Sequence, residues 1–260
     1  MNRIVPPEPP QEYPGAMPEP AANPLNRVAY PTVTYALLGI TVLIFILQML
    51  SESLLGSDFP AMLGMKENSL VAQGQFWRLL TPVFLHGSIL HIGFNMYALW
   101  IIGGRMERAY GHGKFIALYF LSAYAGNVFS FLFQPSPSLG ASTAIFGLLA
   151  AEGVLLYLNR KLIHDARSML QNIITIGVIN LIIGTTGGID NWGHLGGLLG
   201  GLAFGWLGGP LLDTIPYGVG YALIDKRTRQ DVIVAFVVVF LTFTALAILG
   251  FIDPLRVLAF

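Results

Sequence analysis

The sequence predicts an all-α fold, a polytopic membrane bundle of seven transmembrane helices. Three observations lead there. Of 260 residues 54% are hydrophobic and only 11% are charged, against roughly 25% charged in a soluble domain that must cover its surface. The apolar residues gather in blocks of about 20, the length that spans a hydrocarbon core. Basic residues fall on alternate sides of successive blocks, as the positive-inside rule requires of a chain that crosses repeatedly.

Each element can be justified in order. Residues 1–30 are Pro-rich with charges of both signs (PPEPPQEYPGAMPEPAANP). Such a composition cannot bury a core, and a disordered cytoplasmic tail is expected. It has neither the apolar stretch of a secretory signal nor the arginine content of a transit peptide, so span one is the expected targeting signal. That span is 31–51, followed by a long mixed segment, 52–88, that contains Phe76-Trp77-Arg78. Spans two to six are placed at 89–104, 114–134, 142–158, 168–186 and 191–209, giving a six-helix core over 31–209. A cytoplasmic linker, 210–230, leads to an additional C-terminal segment, 231–260, with span seven at 231–252. No shorter internal repeat is visible.

Of the 14 basic residues, Arg3, Arg27, Arg105, Arg108, Lys114, Arg160, Lys161, Arg167, Lys226, Arg227 and Arg229 fall on one side, leaving Lys66, Arg78 and Arg256 on the other. The N-terminus is therefore expected in the cytoplasm and the C-terminus outside a plasma or inner membrane. The 14 acidic residues bring net charge to zero, which offers nothing to nucleic acid or other polyanions. The absence of cysteine excludes disulfides, thiolate metal sites and a cysteine nucleophile.

This orientation sets the geometry of the polar residues. Spans two, four and six run from outside to inside, so their N-termini, with unpaired N–H groups and a positive dipole end, lie near the outer surface. Span four opens with Gly140-Ala141-Ser142-Thr143-Ala144. Ser142 in the first turn has an accessible hydroxyl beside N–H groups able to bind an oxyanion; a plain serine N-cap is the competing reading. Span six carries His194 near its start, with Gly193, Gly197, Gly201 and Gly205 at every fourth position. That bare stripe lets the backbone approach Ala144, Gly147 and Ala151 of span four, which would bring His194 to Ser142 as a general base. A structural histidine bonded to a neighbouring helix is the alternative.

His91 and Asn95 open span two, four residues apart on one face. Both can donate hydrogen bonds to a developing oxyanion, or serve interhelical packing. Convergence of His86, His91 and His194 on zinc is disfavoured, because there is no HExxH and no carboxylate at ligand spacing. No cofactor is expected.

Together these residues resemble the rhomboid proteases: an HxxxN pair (His91, Asn95), a GxS serine (Gly140, Ser142) and HxxGxxxG (His194, Gly197, Gly201). Trp77-Arg78 is similar to that family's Trp-Arg pair in a long first loop, and Glu107 with Gly111 to a further pattern. The resemblance covers 31–209, with span seven as an extra helix. It implies an intramembrane serine endopeptidase whose partners are the bilayer and single-span transmembrane protein substrates. Ser142 would be the nucleophile and His194 its base, without a required acid. His91, Asn95 and the Ser142 N–H would stabilise the oxyanion, and Phe146 would pack on the His194 ring. Trp77 and Arg78 would sit in a hairpin resting in the outer leaflet.

One residue departs from the pattern: the family usually has glycine after the serine, and this chain has Thr143. Its β-branched side chain is expected to be accommodated beside the glycine stripe of span six. Glu152, ten residues below Ser142, is expected to be protonated or hydrogen-bonded to neighbouring helices, and Asp190 to cap span six. Two rivals stand beside the protease: an inactive rhomboid-like pseudoprotease binding membrane clients, and a transporter using Glu152 and the histidines.

Overall fold

A computed structural model describes residues 28, 30–185, 188–217 and 220–252. The tail at 1–30 falls almost entirely outside the described residues, as does Arg256.

Helix α1 (Thr32–Leu55) ends at Gly56, whose φ of 72° gives the left-handed C-cap that glycine adopts freely. The long segment after α1, which carries Trp77 and Arg78, folds as a chain of short turns: α2 (Phe59–Gly64), α3 (Asn68–Ala72) and two 3₁₀ turns, Phe76–Leu79 and Thr81–Phe84. A short helix leaves C-terminal carbonyls with no intrahelical partner. Side chains satisfy them. Arg78 donates to the Met62 and Met65 carbonyls at 2.7 and 2.8 Å, Trp77 Nε1 to Leu63 at 3.0 Å and Thr81 Oγ1 to Gly64 at 2.6 Å.

Span two is α4 (Ile89–Ala98), a π turn (Leu99–Gly103) and α5 (Gly104–Tyr110). Then follow α6 (His112–Phe133), α7 (Ser142–Leu158), α8 (Ala166–Gly184), α9 (Asn191–Gly208) and α10 (Arg229–Ile252). Four of these, α1, α6, α8 and α10, are long and apolar enough to cross a bilayer on those grounds alone. The rest are interrupted, as in span two, short, as in the 17 residues of α7, or glycine-rich, as in α9.

The 210–230 linker contains an antiparallel hairpin, β1 (Leu212–Tyr217) and β2 (Gly220–Asp225). Its base is bolted to the bundle. Asp225 accepts from the Leu211 and Arg227 N–H groups and from Lys114 Nζ at 3.0 Å. Asn159, at the end of α7, donates to the Pro210 carbonyl and accepts from the Leu212 N–H.

At the centre α9 packs on α7 and α6. A Cβ built at Gly197 would lie 2.1 Å from the Thr143 carbonyl oxygen, and one at Gly201 would lie 2.0 Å from that of Gly147. Gly205 faces Ala151. A second glycine face turns to α6: Cβ atoms at Gly196 and Gly200 would meet the Ala125 carbonyl and Ala125 Cβ at 2.6 Å each. α9 is thus a wedge whose backbone touches both neighbours, a contact available only to residues lacking side chains.

Two buried carboxylates join elements of the bundle. Glu152 receives two hydrogen bonds from Arg105, at 2.9 and 3.0 Å, which joins α5 to α7. Glu107 accepts from the Val33 and Thr34 N–H groups and the Thr34 hydroxyl, capping the N-terminus of α1 from α5.

Candidate active site

α7 begins abruptly because Gly140 turns the chain into it. Its φ is 138°, a conformation that favours glycine, and its N–H donates to the Pro82 carbonyl at 2.9 Å. Ser142 then occupies the first helical turn, where N–H groups have no partner four residues back. Its Oγ lies 2.8 Å from His194 Nε2. Phe146, one turn below on α7, stacks on the His194 ring with centroids 4.1 Å apart and planes 15° from parallel. His194 is 6% exposed, and its Nδ1 has no hydrogen-bond partner among the described residues. The imidazole is therefore held by a hydroxyl and an aromatic face, with no carboxylate behind it. Asp190 is occupied otherwise: it accepts from the Gly193 N–H at 2.8 Å as the N-cap of α9 and bonds the Ser130 hydroxyl.

On the other side of Ser142 stands the start of α4. Ser88 caps it by accepting from the His91 N–H. The His91 ring covers Gly140, where a Cβ would come within 2.9 Å of two ring atoms and 3.7 Å of Ser142 Oγ. Gly140 is thus required twice, by its φ and by the ring above it. Asn95, 7% exposed, donates through Nδ2 to the His91 carbonyl at 2.9 Å, which leaves a second amide hydrogen.

Sequence reasoning gave His86 no role beyond a metal ligand. It is 1% exposed, accepts from the Ala141 N–H through Nε2 at 3.4 Å, and meets His91 edge to face with centroids 5.0 Å apart. Burial and then the neighbouring His91 push its pKa down to about 3, so the ring is neutral and free to accept. It lies five positions before His91, a spacing that matches no single helical face, so pattern reading had no signal for it.

Thr143 points away from Ser142 into a space made by two glycines. A Cβ at Gly126 of α6 would lie 2.6 Å from Thr143 Cβ, and one at Gly193 would lie 3.1 Å from Thr143 Cγ2. Room was expected from span six; most of it comes from α6. Trp77 and Arg78 serve the carbonyls of α2. Lys66, also in the 52–88 segment, is fully buried and donates to Asn68 Oδ1 and to the Gln134 and Ser136 carbonyls beyond α6.

A Ser–His contact beside unpaired N–H groups and further amide and imidazole donors is the equipment of acyl transfer: a nucleophile, a proton acceptor and an oxyanion site.

Comparison with known proteins follows the same residues. The Rhomboid domain matches residues 73–211, which include His91, Asn95, Ser142 and His194. The chain is 46% identical over 175 residues to Rhomboid protease GluP of Bacillus subtilis (strain 168), covering 66% of this chain and 34% of that protein. It is 36% identical over 214 residues to RHOMBOID-like protein 5 of Arabidopsis thaliana, covering 76% and 67%. With Rhomboid-like protease 1 of Toxoplasma gondii the identity is 41% over 143 residues, covering 53% and 49%. The chain thus spans about a third of the length of the Bacillus relative, half of the Toxoplasma one and two thirds of the Arabidopsis one. Matched domain, helical bundle and apolar spans agree: the chain is a multi-pass integral membrane protein and belongs to the rhomboid family.

Proposed function

We propose that this protein is an intramembrane serine endopeptidase that cleaves single-span transmembrane substrates in or near their outer-leaflet segment. The observation that carries the reading is the 2.8 Å contact between Ser142 Oγ and His194 Nε2 at the start of two helices packed backbone to backbone. Ser142 attacks the scissile carbonyl while its proton passes to Nε2. The oxyanion is taken up by the Ser142 N–H with the free amide hydrogen of Asn95 and the His91 ring. Nε2 returns the proton to the leaving amine, and water then hydrolyses the acyl-enzyme in the same way. With no acid behind Nδ1, the stack on Phe146 orients the ring.

α1, the interrupted span two, α6, α7, α8, α9 and α10 make seven spans in this reading, with the N-terminus cytoplasmic. The dyad then lies near the outer surface. α8 packs mainly on α7, and α4 exposes Leu90, Phe94 and Tyr97. The unpacked side between α4 and α8 is the route by which a substrate helix reaches Ser142. Protease-named relatives such as Rhomboid protease GluP support the activity.

The purified protein in liposomes, given a generic transmembrane substrate, should cleave it, and Ser142→Ala should not. A folded parent that neither cleaves nor takes a fluorophosphonate label would instead favour the inactive pseudoprotease. For orientation, single cysteines placed in this cysteine-free chain should react with an impermeant reagent near 137 in intact cells. Reaction near 163 instead would invert the topology.

A further inference from the structure

A glutamine inside a membrane span needs an explanation, because an unsatisfied carboxamide in hydrocarbon costs several kcal/mol. Gln48 lies near the outer end of α1 and is 2% exposed. Both ends of its amide are used. Oε1 accepts from the His86 N–H at 3.1 Å, while Nε2 donates to the His86 carbonyl at 3.3 Å and to Asp58 Oδ2 at 2.7 Å. It grips the backbone of one residue on both sides, as a neighbouring strand would. Asp58 is fixed in turn, since its Oδ1 caps α2 by accepting from the Ala61 N–H at 2.9 Å.

The gripped residue faces the reacting centre. The His86 ring takes the Ala141 N–H, one residue before Ser142, and braces the His91 ring that lies over Gly140. α1 itself contributes no side chain to the dyad. Its one intramembrane amide nonetheless connects, through His86, to both the backbone leading into Ser142 and the imidazole beside it.

We infer that Gln48 is a positioning residue for the oxyanion side of the site, holding His86 so that its ring fixes the Gly140–Ala141 backbone and the His91 side chain. The inference rests on the protease reading for its kinetic consequence, but its structural consequence can be measured without turnover.

Gln48→Leu keeps the bulk and removes all three bonds. It should lower kcat about 10- to 100-fold, the scale of an ångström-sized misplacement, with KM for a transmembrane substrate unchanged. Hydrogen exchange should quicken at 85–88 and 139–142 and not at 191–194. Gln48→Glu sets a carboxylate against Asp58 and should lose activity too. Adding Asp58→Asn reverses donor and acceptor between the two and keeps a good N-cap on α2; it restores the 48–58 bond and the acceptor for the His86 N–H but not the donor to the His86 carbonyl, so it should recover part of kcat and of the exchange protection.

A folded Gln48→Leu protein with parental kcat, or with parental exchange at 139–142, overturns the inference. So does loss of thermal stability alone, with kcat of the folded fraction intact, because that is the mark of a merely structural role. Failure of the double variant to recover any of what Gln48→Glu loses contradicts the assigned bond between residues 48 and 58. If the parent proves inert, the protease reading fails, and the exchange measurement still decides whether Gln48 governs the 139–142 backbone.

Discussion

Substituting Gly201 tests whether the dyad depends on the backbone contact between α7 and α9. Gly201 lies seven residues, about two turns, below His194 and touches no reacting group. An alanine Cβ there would lie 2.0 Å from the Gly147 carbonyl oxygen, 2.4 Å from its Cα and 2.5 Å from its carbonyl carbon. These atoms are backbone and cannot swing aside. A contact of at least 3.0 Å requires the helices to part by 1.0 Å, the difference between 3.0 and 2.0. Carried to the outer end, a displacement of that size is enough to stretch the 2.8 Å Ser142–His194 contact out of hydrogen-bond range. Gly201→Ala should therefore lose about 10²-fold in kcat and about 1–3 kcal/mol of stability. Gly153→Ala is the control: its Cβ would find ordinary contacts, 3.5 Å to Leu170 and 3.7 Å to Ile173. Both variants would be assayed for cleavage in liposomes and for rate of fluorophosphonate labelling. A Gly201→Ala protein within about twofold of Gly153→Ala in both would refute the argument that close backbone packing sets the dyad distance.

His194→Ala should abolish cleavage, whereas Asp190→Asn, still able to cap α9, should keep most of it; equal inactivity in two folded proteins would overturn the two-residue mechanism. Asn95→Ala should reduce turnover by up to about 10²–10³-fold, and His91→Ala by a similar or smaller factor. Both should still label slowly with a serine probe, and complete loss of labelling in Asn95→Ala would make that residue a support of the dyad. Thr143→Gly empties the space against Gly126 and should lower stability by about 1 kcal/mol while changing labelling only modestly. An inert parent that gains labelling on this substitution would show Thr143 to be inhibitory. Burial lowers the Lys66 pKa from 10.5 to about 8 against the attraction of Asp190 and Glu67. Between those pH values the unfolded chain binds more protons than the folded one, so stability should rise with pH, by at most about 3 kcal/mol. The unfolding midpoint should follow that rise in the parent and not in Lys66→Met; parallel profiles would contradict it.

Much of the site could be read from the sequence because its determinants are periodic and local. The fourfold glycine repeat of α9 states which face lacks side chains, and small residues at matching depth in α7 state what it meets. Gly197 on Thr143 and Gly201 on Gly147 are that repeat made spatial. The second glycine face, Gly196 and Gly200 on α6, lies in the same string of letters but has only two members, too few to stand out as a period. Contacts between distant segments that no repeat marks left no trace. Gln48 and His86 are 38 residues apart, Lys66 and Ser136 are 70 apart, and Thr143 finds its space at Gly126. The hairpin was invisible for a different reason. Pro216 interrupts a strand pattern, and what stabilises its base, Asp225 on Lys114 and Asn159 on Pro210, is supplied by other helices. Four helices declare themselves by apolar length; α1, α8 and α10 turn most of their surface out of the bundle, whereas α6 is mostly buried in it, and α7 and α9 escape notice through short length and glycine content.

The π turn at Leu99–Gly103 has a consequence for the phase of span two. Upstream, α4 must set the His91 ring over Gly140; downstream, α5 must aim Arg105 at Glu152 and Glu107 at the first turn of α1. One uninterrupted α-helix fixes the angle between those two aims at about 100° per residue, and that angle need not suit both. A wider turn between them works as a vernier, letting the half that carries His91 and Asn95 and the half that carries Arg105 and Glu107 each take its own bearing. Deleting one residue within it would leave the span nearly as long and as apolar, yet swing Glu107 and Arg105 about a quarter-turn from their partners. The rotation could be absorbed only by turning His91 and Asn95 instead.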